Sequence, residues 1–511
     1  MAGLKNADDY AKGEKFDGGG LLKWVLLMAG LGAAVLFFVI YLATGGKESS
    51  EVFHKGMAYS WLFAVVYFMT LAVGGIFWTL LHNATNSGWG IVVRRLMENL
   101  GSVVPFLFVL ALPLIFPGTM RNALWEWFDA RKDALHHAEE AANHELEEHR
   151  HHLQENIESA EKRFAAIEAD TQRDLNGATP GETAFLNRRL EDERAKVEKL
   201  KATDLSDGAL FGELRDKEFK HTNTNLFKKR GYMNPGAWYF RFVMISLALT
   251  GVIFTLRTWS LKSDASGDPK YFRWMRRAAC GFLPVFAASW TFLVFDWLMA
   301  LDYTWFSTMW GVYLFAGAAL NSMAFLIILL TLLRRAGYLK EVITMEHYHL
   351  MGKLLLAFTV FWAYIAFSQF FLIWYANITE ETKFYLTRNT AYWNTHAILF
   401  LVIGHFFLPF GALLMQGFKK KPTILCGVAV WTLFMHFCDI YWIIIPERGP
   451  SLTRHLGDGI QYIVPGNFWT DLLAWVAVAG IFGFFVLRAL GNASLFPCRD
   501  PRLDESLNVL N

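Results

Sequence analysis

Three residues whose side chains can pass protons or hold a metal stand where charge is expensive. His405, His436 and Asp439 fall inside long apolar runs. An ionisable group in hydrocarbon is costly, so each is a functional candidate by default. Asp439 follows His436 by three residues, which places both on one face of a helix. Another apolar run supplies Tyr364, Ser368 and Gln369 at similar depth, with His349 and Lys353 where it begins. Asp296 and Asp302 sit six residues apart around the junction of two further runs.

Three chemistries fit these types. A proton relay would run His349/Lys353, Tyr364, Ser368/Gln369, His405, His436, Asp439, because neutral imidazoles and carboxyls hand on protons where water is scarce. A b-type haem could be held by His405 and His436 from adjacent spans, although bulky Phe406, Phe407, Phe434 and Phe437 crowd both. The plain alternative is interhelical hydrogen bonding, at about 0.6 kcal/mol per bond. His396 lies nine residues before His405, which in an α-helix puts it on the opposite face. Asp302 suits a cap for the helix that follows; Asp296 has no such ready explanation.

The elements that must position these residues are membrane spans. Of 511 residues, 54% are hydrophobic and only 18% charged, and the mean hydropathy is +0.27. That is too apolar for an ordinary soluble enzyme. A crossing needs about 20 apolar residues, and ten stretches qualify: about 21–44, 57–81, 91–116, 236–258, 276–299, 305–333, 351–375, 393–416, 423–445 and 468–490. The first exceeds a signal-peptide core and has no small-x-small site after it, so it reads as a retained anchor.

Basic residues in the short loops divide 18 to 6. The richer side holds Lys5, Lys12, Lys15, Arg94, Arg95, Lys262, Lys270, Arg273, Arg276, Arg277, Arg334, Arg335, Lys340, Lys419–Lys421, Arg499 and Arg502. The poorer side holds Lys47, Lys55, Lys383, Arg388, Arg448 and Arg454. Positive loops stay inside, so both termini are expected in the cytoplasm, in a bacterial inner membrane. The net charge of +2 argues for no nucleic-acid partner.

Residues 120–232 change character and divide the chain into spans one to three (1–119), this insertion, spans four to ten (233–490) and a cytoplasmic tail (491–511). From Leu124 to Leu175 the insertion has neither Pro nor Gly, and Leu146, Leu153, Ala160 and Ile167 recur every seven residues. The stretch Asn176–Gly181 reads as a turn, and Leu186, Leu190, Val197 and Leu200 mark a returning helix. An extracytoplasmic helical hairpin follows, with a first arm of about 70 Å. Its histidines, His136, His137, His144, His149, His151 and His152, read as a solvated face. Of these, His149 and His152 are the best spaced to share an adventitious metal. Cys280, Cys426, Cys438 and Cys498 form no CxxC or CxxCH, so no local iron–sulfur, zinc or c-haem motif exists in this chain.

The stretch FDWLMALDYTWFST (295–308), with WGVYLFAGA after it, resembles the NrfD/PsrC-like membrane subunits of alternative complex III. HLMGKLLLAFTVFWAYIAFSQFFLIWYANITEET (349–382), NATNSGWGIVVRRLMENL (83–100) and the tail FPCRDPRLDESLNVLN (496–511) point the same way. The quinol-site subunit of that complex, ActC, carries a GHAGTLISA-like segment and an HLGR-like motif. This chain has neither and is similar to the ActF type instead.

The resemblance implies an all-α fold of about ten transmembrane helices. They would form two four-helix bundles, spans 2–5 and 6–9, plus peripheral helices. It implies a non-redox subunit of a quinol-oxidising respiratory complex, serving assembly and proton translocation. Haem c and iron–sulfur clusters would lie in partner subunits, alongside a NrfD-like quinol-site subunit and membrane lipid, and quinol would be used by the complex. An alternative is a quinol-binding catalytic subunit in its own right. A secondary transporter fits less well, as no inverted repeat or paired broken helices occur. The inserted hairpin departs from the family pattern, which the chain rejoins near Tyr232–Pro235.

Overall fold

A computed structural model of the chain describes residues 5–17, 20–44, 50–116, 118–175, 179–202, 207–448, 454–456, 459–461 and 468–510. These are helical almost throughout, apart from a short antiparallel pairing of Arg454–Leu456 with Gly459–Gln461. The protein is an all-α polytopic membrane protein, and among the described residues ten helices are long and apolar enough to cross a bilayer. In order, these spans are Gly20–Ala43, Lys55–Ala84, Ile91–Ile115, Pro235–Ser266, Pro269–Leu301, Trp310–Arg335, Met345–Ala376, Ala391–Leu414, Pro422–Arg448 and Phe468–Gly491. All ten expected spans are present. The chain folds as two compact units, Met1–Glu126 with Gly236–Asn511, and Trp127–Pro235.

In the membrane unit the second span is the hub. Its apolar window is 89% buried against 17% for the first span, because it packs on the third, fifth, sixth, ninth and tenth. Glycine makes the closest of these approaches: a Cβ on Gly74 would sit 2.1 Å from Ser322 Oγ of the sixth span. Small residues let helix backbones come together where lipid supplies no hydrophobic drive. Trp78 Nε1 then donates across the seam to the Ala319 carbonyl at 3.1 Å. The fourth span joins the third and fifth through polar side chains, Arg95 donating to Ser260 Oγ (3.0 Å) and Arg241 to Asp296 (2.8 Å). The sixth span packs on the seventh and ninth, and the eighth on both of those. The first and tenth lie outside this pair of bundles, pressed together where Gly30 meets Gly480.

The terminal segments are sewn to one end of this unit. Leu495 N–H donates to the Glu14 carbonyl (2.7 Å), Ala7 N–H to Asp504 (2.6 Å), and Asn508 bonds Lys5 in both directions. Ser506 donates to the Trp89 carbonyl in the loop between spans two and three (2.7 Å). Arg499 reaches the Ala265 carbonyl at the end of span four (3.0 Å). Leu339 N–H, in the loop after span six, donates to Glu14 (2.8 Å). Both termini and these three loops therefore share one end. Lys47, on the opposite side of the basic-residue count, lies outside the described residues.

The second unit begins later than the composition change suggests. The helix Gly118–Leu124 buries Met120 and Leu124 in the membrane unit, and Trp125 donates to the Trp297 carbonyl (3.2 Å). The unit itself consists of Trp127–Leu175, Pro180–Lys201, Asp207–Thr222 and Thr224–Lys228. Of the expected turn, Asn176–Ala178 lie outside the described residues, and Pro180 opens the next helix behind a Thr179/Glu182 capping box. The returning helices run antiparallel to the long one in a constant register. Lys201 pairs with Glu161 (2.5 Å) and Lys217 with Glu145 (3.0 Å), sixteen residues onward (217 − 201) against sixteen back (161 − 145). Ala142, Leu146 and Leu214 make its core, with Leu210 and Phe211 packed against them.

Candidate functional site

The buried polar seam lies in the second bundle, where spans two, six, seven, eight and nine meet. Asp439, fully inside span nine, accepts from two donors on different helices: the Tyr313 hydroxyl to Oδ1 (2.6 Å) and Trp362 Nε1 to Oδ2 (3.1 Å). His436, one turn back on the same face, meets Thr70 of span two at 2.7 Å. Thr70 gives its only proton to the Tyr67 carbonyl (2.6 Å), so His436 donates from Nε2 and keeps Nδ1 as an acceptor with no partner among the described residues. Gly317 makes room for this arrangement: a Cβ there would touch both the His436 ring and the Trp362 indole at 3.7 Å.

His405 joins through the same indole, its ring 4.0 Å from that of Trp362, and neither of its nitrogens has a protein partner among the described residues. The Trp362 indole thus borders His405 and shares the gap at Gly317 with His436. The backbone explains how His405 gets there. Ala397–Phe407 is a π-helix, and Trp431 Nε1 donates to its Gly404 carbonyl (2.8 Å). Such helices close their hydrogen bonds one residue later and mark functional places. That geometry also overturns the expected position of His396. With the wider turn, nine residues make about two turns, so His396 faces inward too and meets the Cys438 carbonyl at 3.0 Å.

The remaining candidates are not one chain. Tyr364 is 65% exposed on the outer face of span seven, away from the seam. Ser368 donates to its own helix at the Ile365 carbonyl (3.1 Å). Gln369 is buried, with both amide atoms unpartnered among the described residues. His349 stays near the start of span seven beside Glu346 (3.4 Å), itself paired with Lys420 (2.7 Å), and Lys353 is exposed. Asp296 is clasped by Arg241 through two 2.8 Å bonds, an ion pair. Asp302 does not cap span six, which begins only at Trp310. It closes the turn instead, accepting from Thr304 N–H (3.0 Å) and Oγ1 (2.6 Å) and pairing with Lys383 (2.7 Å). Burial works to raise its pKa, but those bonds prevail and hold it below the usual carboxylate range.

Sequence reasoning missed the charge at the two ends. At the termini end, Arg94 and Arg95 are buried in span three rather than lying in a loop. Arg94 pairs with Asp500 (3.0 Å), and Arg95 with Glu98 (3.0 Å) and Asp264 (2.6 Å). At the other end Arg448 pairs with Asp471, which also accepts from Ser60 (2.5 Å) and Tyr441 (3.1 Å). Beside it Arg388 pairs with Glu447 (2.8 Å) over the Phe384 ring (3.4 Å). Glu98 and Asp471 could have been found, since each is an acid inside an apolar stretch.

In the second unit, His136, His137 and Glu140, and again His151, His152 and Glu155, gather their ligand atoms within 4.8 Å, all exposed. His149, expected to pair with His152, bonds its own helix at the Glu145 carbonyl (2.9 Å).

Neither a search of protein families nor a search of curated proteins finds a match for this chain.

Proposed function

We propose that this chain is a non-redox, proton-handling membrane subunit of a quinol-oxidising respiratory assembly, of the ActF type. Asp439 carries the reading. The other buried acids, Glu98, Asp296, Asp471 and Asp500, are each paired with an arginine. Asp439 has no cation among the described residues and is held by a phenol and an indole. A carboxyl locked to a guanidinium is held ionised, whereas one held by neutral donors can carry a proton or release it. His436, with its bare Nδ1, lies on the same face one turn away, and His405 borders the same indole.

The motifs of residues 83–100, 295–318, 349–382 and 496–511 support the assembly, and so does a chain without CxxC or CxxCH, whose electrons would be carried by haem c and iron–sulfur partners. On this reading the membrane is a bacterial inner membrane. The end that gathers both termini is cytoplasmic, as the basic loops favour, and the helical insertion is extracytoplasmic and docks peripheral redox subunits.

Affinity isolation of the chain from its native membrane tests the assembly: c-type haem and iron–sulfur subunits should co-purify, and their absence would overturn it. Deleting 130–215 should release those peripheral subunits; an intact complex would remove the docking role. In reconstituted vesicles, His436→Ala should slow proton uptake while leaving quinol oxidation running, and an unchanged proton stoichiometry would reduce the seam to packing.

A further inference from the structure

Beside the seam, spans seven and eight flank an open-sided cavity of about 1370 Å3, with Phe367, Trp374 and Phe407 exposed at its rim; ordinary small-molecule sites span roughly 300–1,000 Å3. Its walls are mostly apolar and aromatic, and three polar groups are aligned on its inner side. Tyr313 and Trp362, the two donors to Asp439, both line it, and Gln369 lies two turns beyond Trp362 on the same helix face. Gln369 is 5% exposed, and among the described residues neither its amide NH2 nor its carbonyl oxygen is paired. Buried amides are ordinarily satisfied. The far wall is the π-helical segment Ala397–Phe407.

The charge of an occupant follows from Arg388, the cation in that lining. Its Nε donates to the Trp442 carbonyl (3.0 Å), Nη1 to Phe384 (2.7 Å) and Glu447 (2.8 Å), and Nη2 to Ile443 (2.8 Å). The guanidinium is thus neutralised, and no free cation is offered to a phosphate. Gln369 presents a donor and an acceptor together, and a hydroxyl answers both.

We propose that this cavity binds one neutral membrane amphiphile with a hydroxyl-bearing head at Gln369 and a long apolar tail between spans seven and eight. A reduced isoprenoid quinone and a neutral glyceride share that chemistry. The inference rests on the cavity alone and stands or falls apart from the proton-handling reading.

Native mass spectrometry of the full chain, in the assembly with which it purifies, tests it with four added probes. They are a decyl benzoquinol, its dimethyl ether, monodecanoyl glycerol and phosphatidylglycerol. One benzoquinol or one glyceride should bind per chain, and whichever binds more tightly identifies the source. The ether should bind about tenfold more weakly than the benzoquinol, the loss expected of one hydrogen bond. Gln369→Leu should erase that difference, and Ala363→Trp, which fills the lining, should abolish binding. Equal binding of benzoquinol and ether by the unaltered protein would overturn the proposal without any variant. A preference for phosphatidylglycerol, or full occupancy in Ala363→Trp, would overturn it as well.

Discussion

The two ends of the membrane unit and its middle treat buried charge differently. At the ends, arginines and acids are paired: Arg94 and Arg95 with Glu98 and Asp500 at one, Arg448 with Asp471 at the other. In the middle, among the described residues, Asp439 has neutral donors and the His405 nitrogens no hydrogen-bond partner. Paired charge is fixed charge; it can hold helices in register, but it cannot carry protons without breaking. The middle keeps its titratable groups uncommitted, and stability there must come from packing. The same contrast separates the unit Trp127–Pro235, where ion pairs are exposed and the core is a thin apolar strip.

Substitutions can sharpen the comparison. Removing one partner of an end pair should have the largest effect: Asp471→Ala takes the carboxylate away from the buried Arg448 guanidinium and should cost about 3–5 kcal/mol. The check is thermal unfolding in detergent, and the double variant Arg448→Met/Asp471→Leu should recover much of the loss. Next comes the thin core of the inserted unit, where Leu146→Ala should cost about 2–3 kcal/mol, read as early loss of helical signal. Asp302→Asn should cost about 1 kcal/mol through its lost charged bonds to Lys383 and Thr304. Because Asp302 is held below the usual carboxylate range, its contribution is present above the unfolded value near pH 4 and fades as pH falls through the depressed folded value. A stability–pH profile of wild type and variant should converge in acid; parallel profiles would contradict that.

The architecture was legible because span length and apolar runs are local properties. All ten spans, the heptad of Leu146, Leu153, Ala160 and Ile167, and the polar character of spans seven to nine could be read directly. What could not be read was pairing. Asp296 looked like a lone acid because its partner Arg241 stands 55 positions earlier, on another helix. Arg94 and Arg95 counted as loop charges because nothing local reveals that the C-terminal tail returns to cover them with Asp500. Tyr364 and Gln369 share a span and a depth, but rotation about the helix axis turns one outward and the other inward. The π-helix was invisible for a different reason. An assumed turn of 3.6 residues sends His396 away from the bundle, and only the widened turn brings it in.

The central claim is that Asp439, held by neutral donors, is the acid of the membrane unit that carries a proton. If the proposed assembly holds, infrared difference spectroscopy during its quinol oxidation reads this directly, since a protonated carboxyl has a carbonyl stretch that an ionised one lacks. The wild type should show such a band appearing and disappearing with turnover, and Asp439→Asn should lose it while the protein remains folded. An unaltered band in that variant, or its disappearance in Arg448→Met/Asp471→Leu instead, would contradict the account.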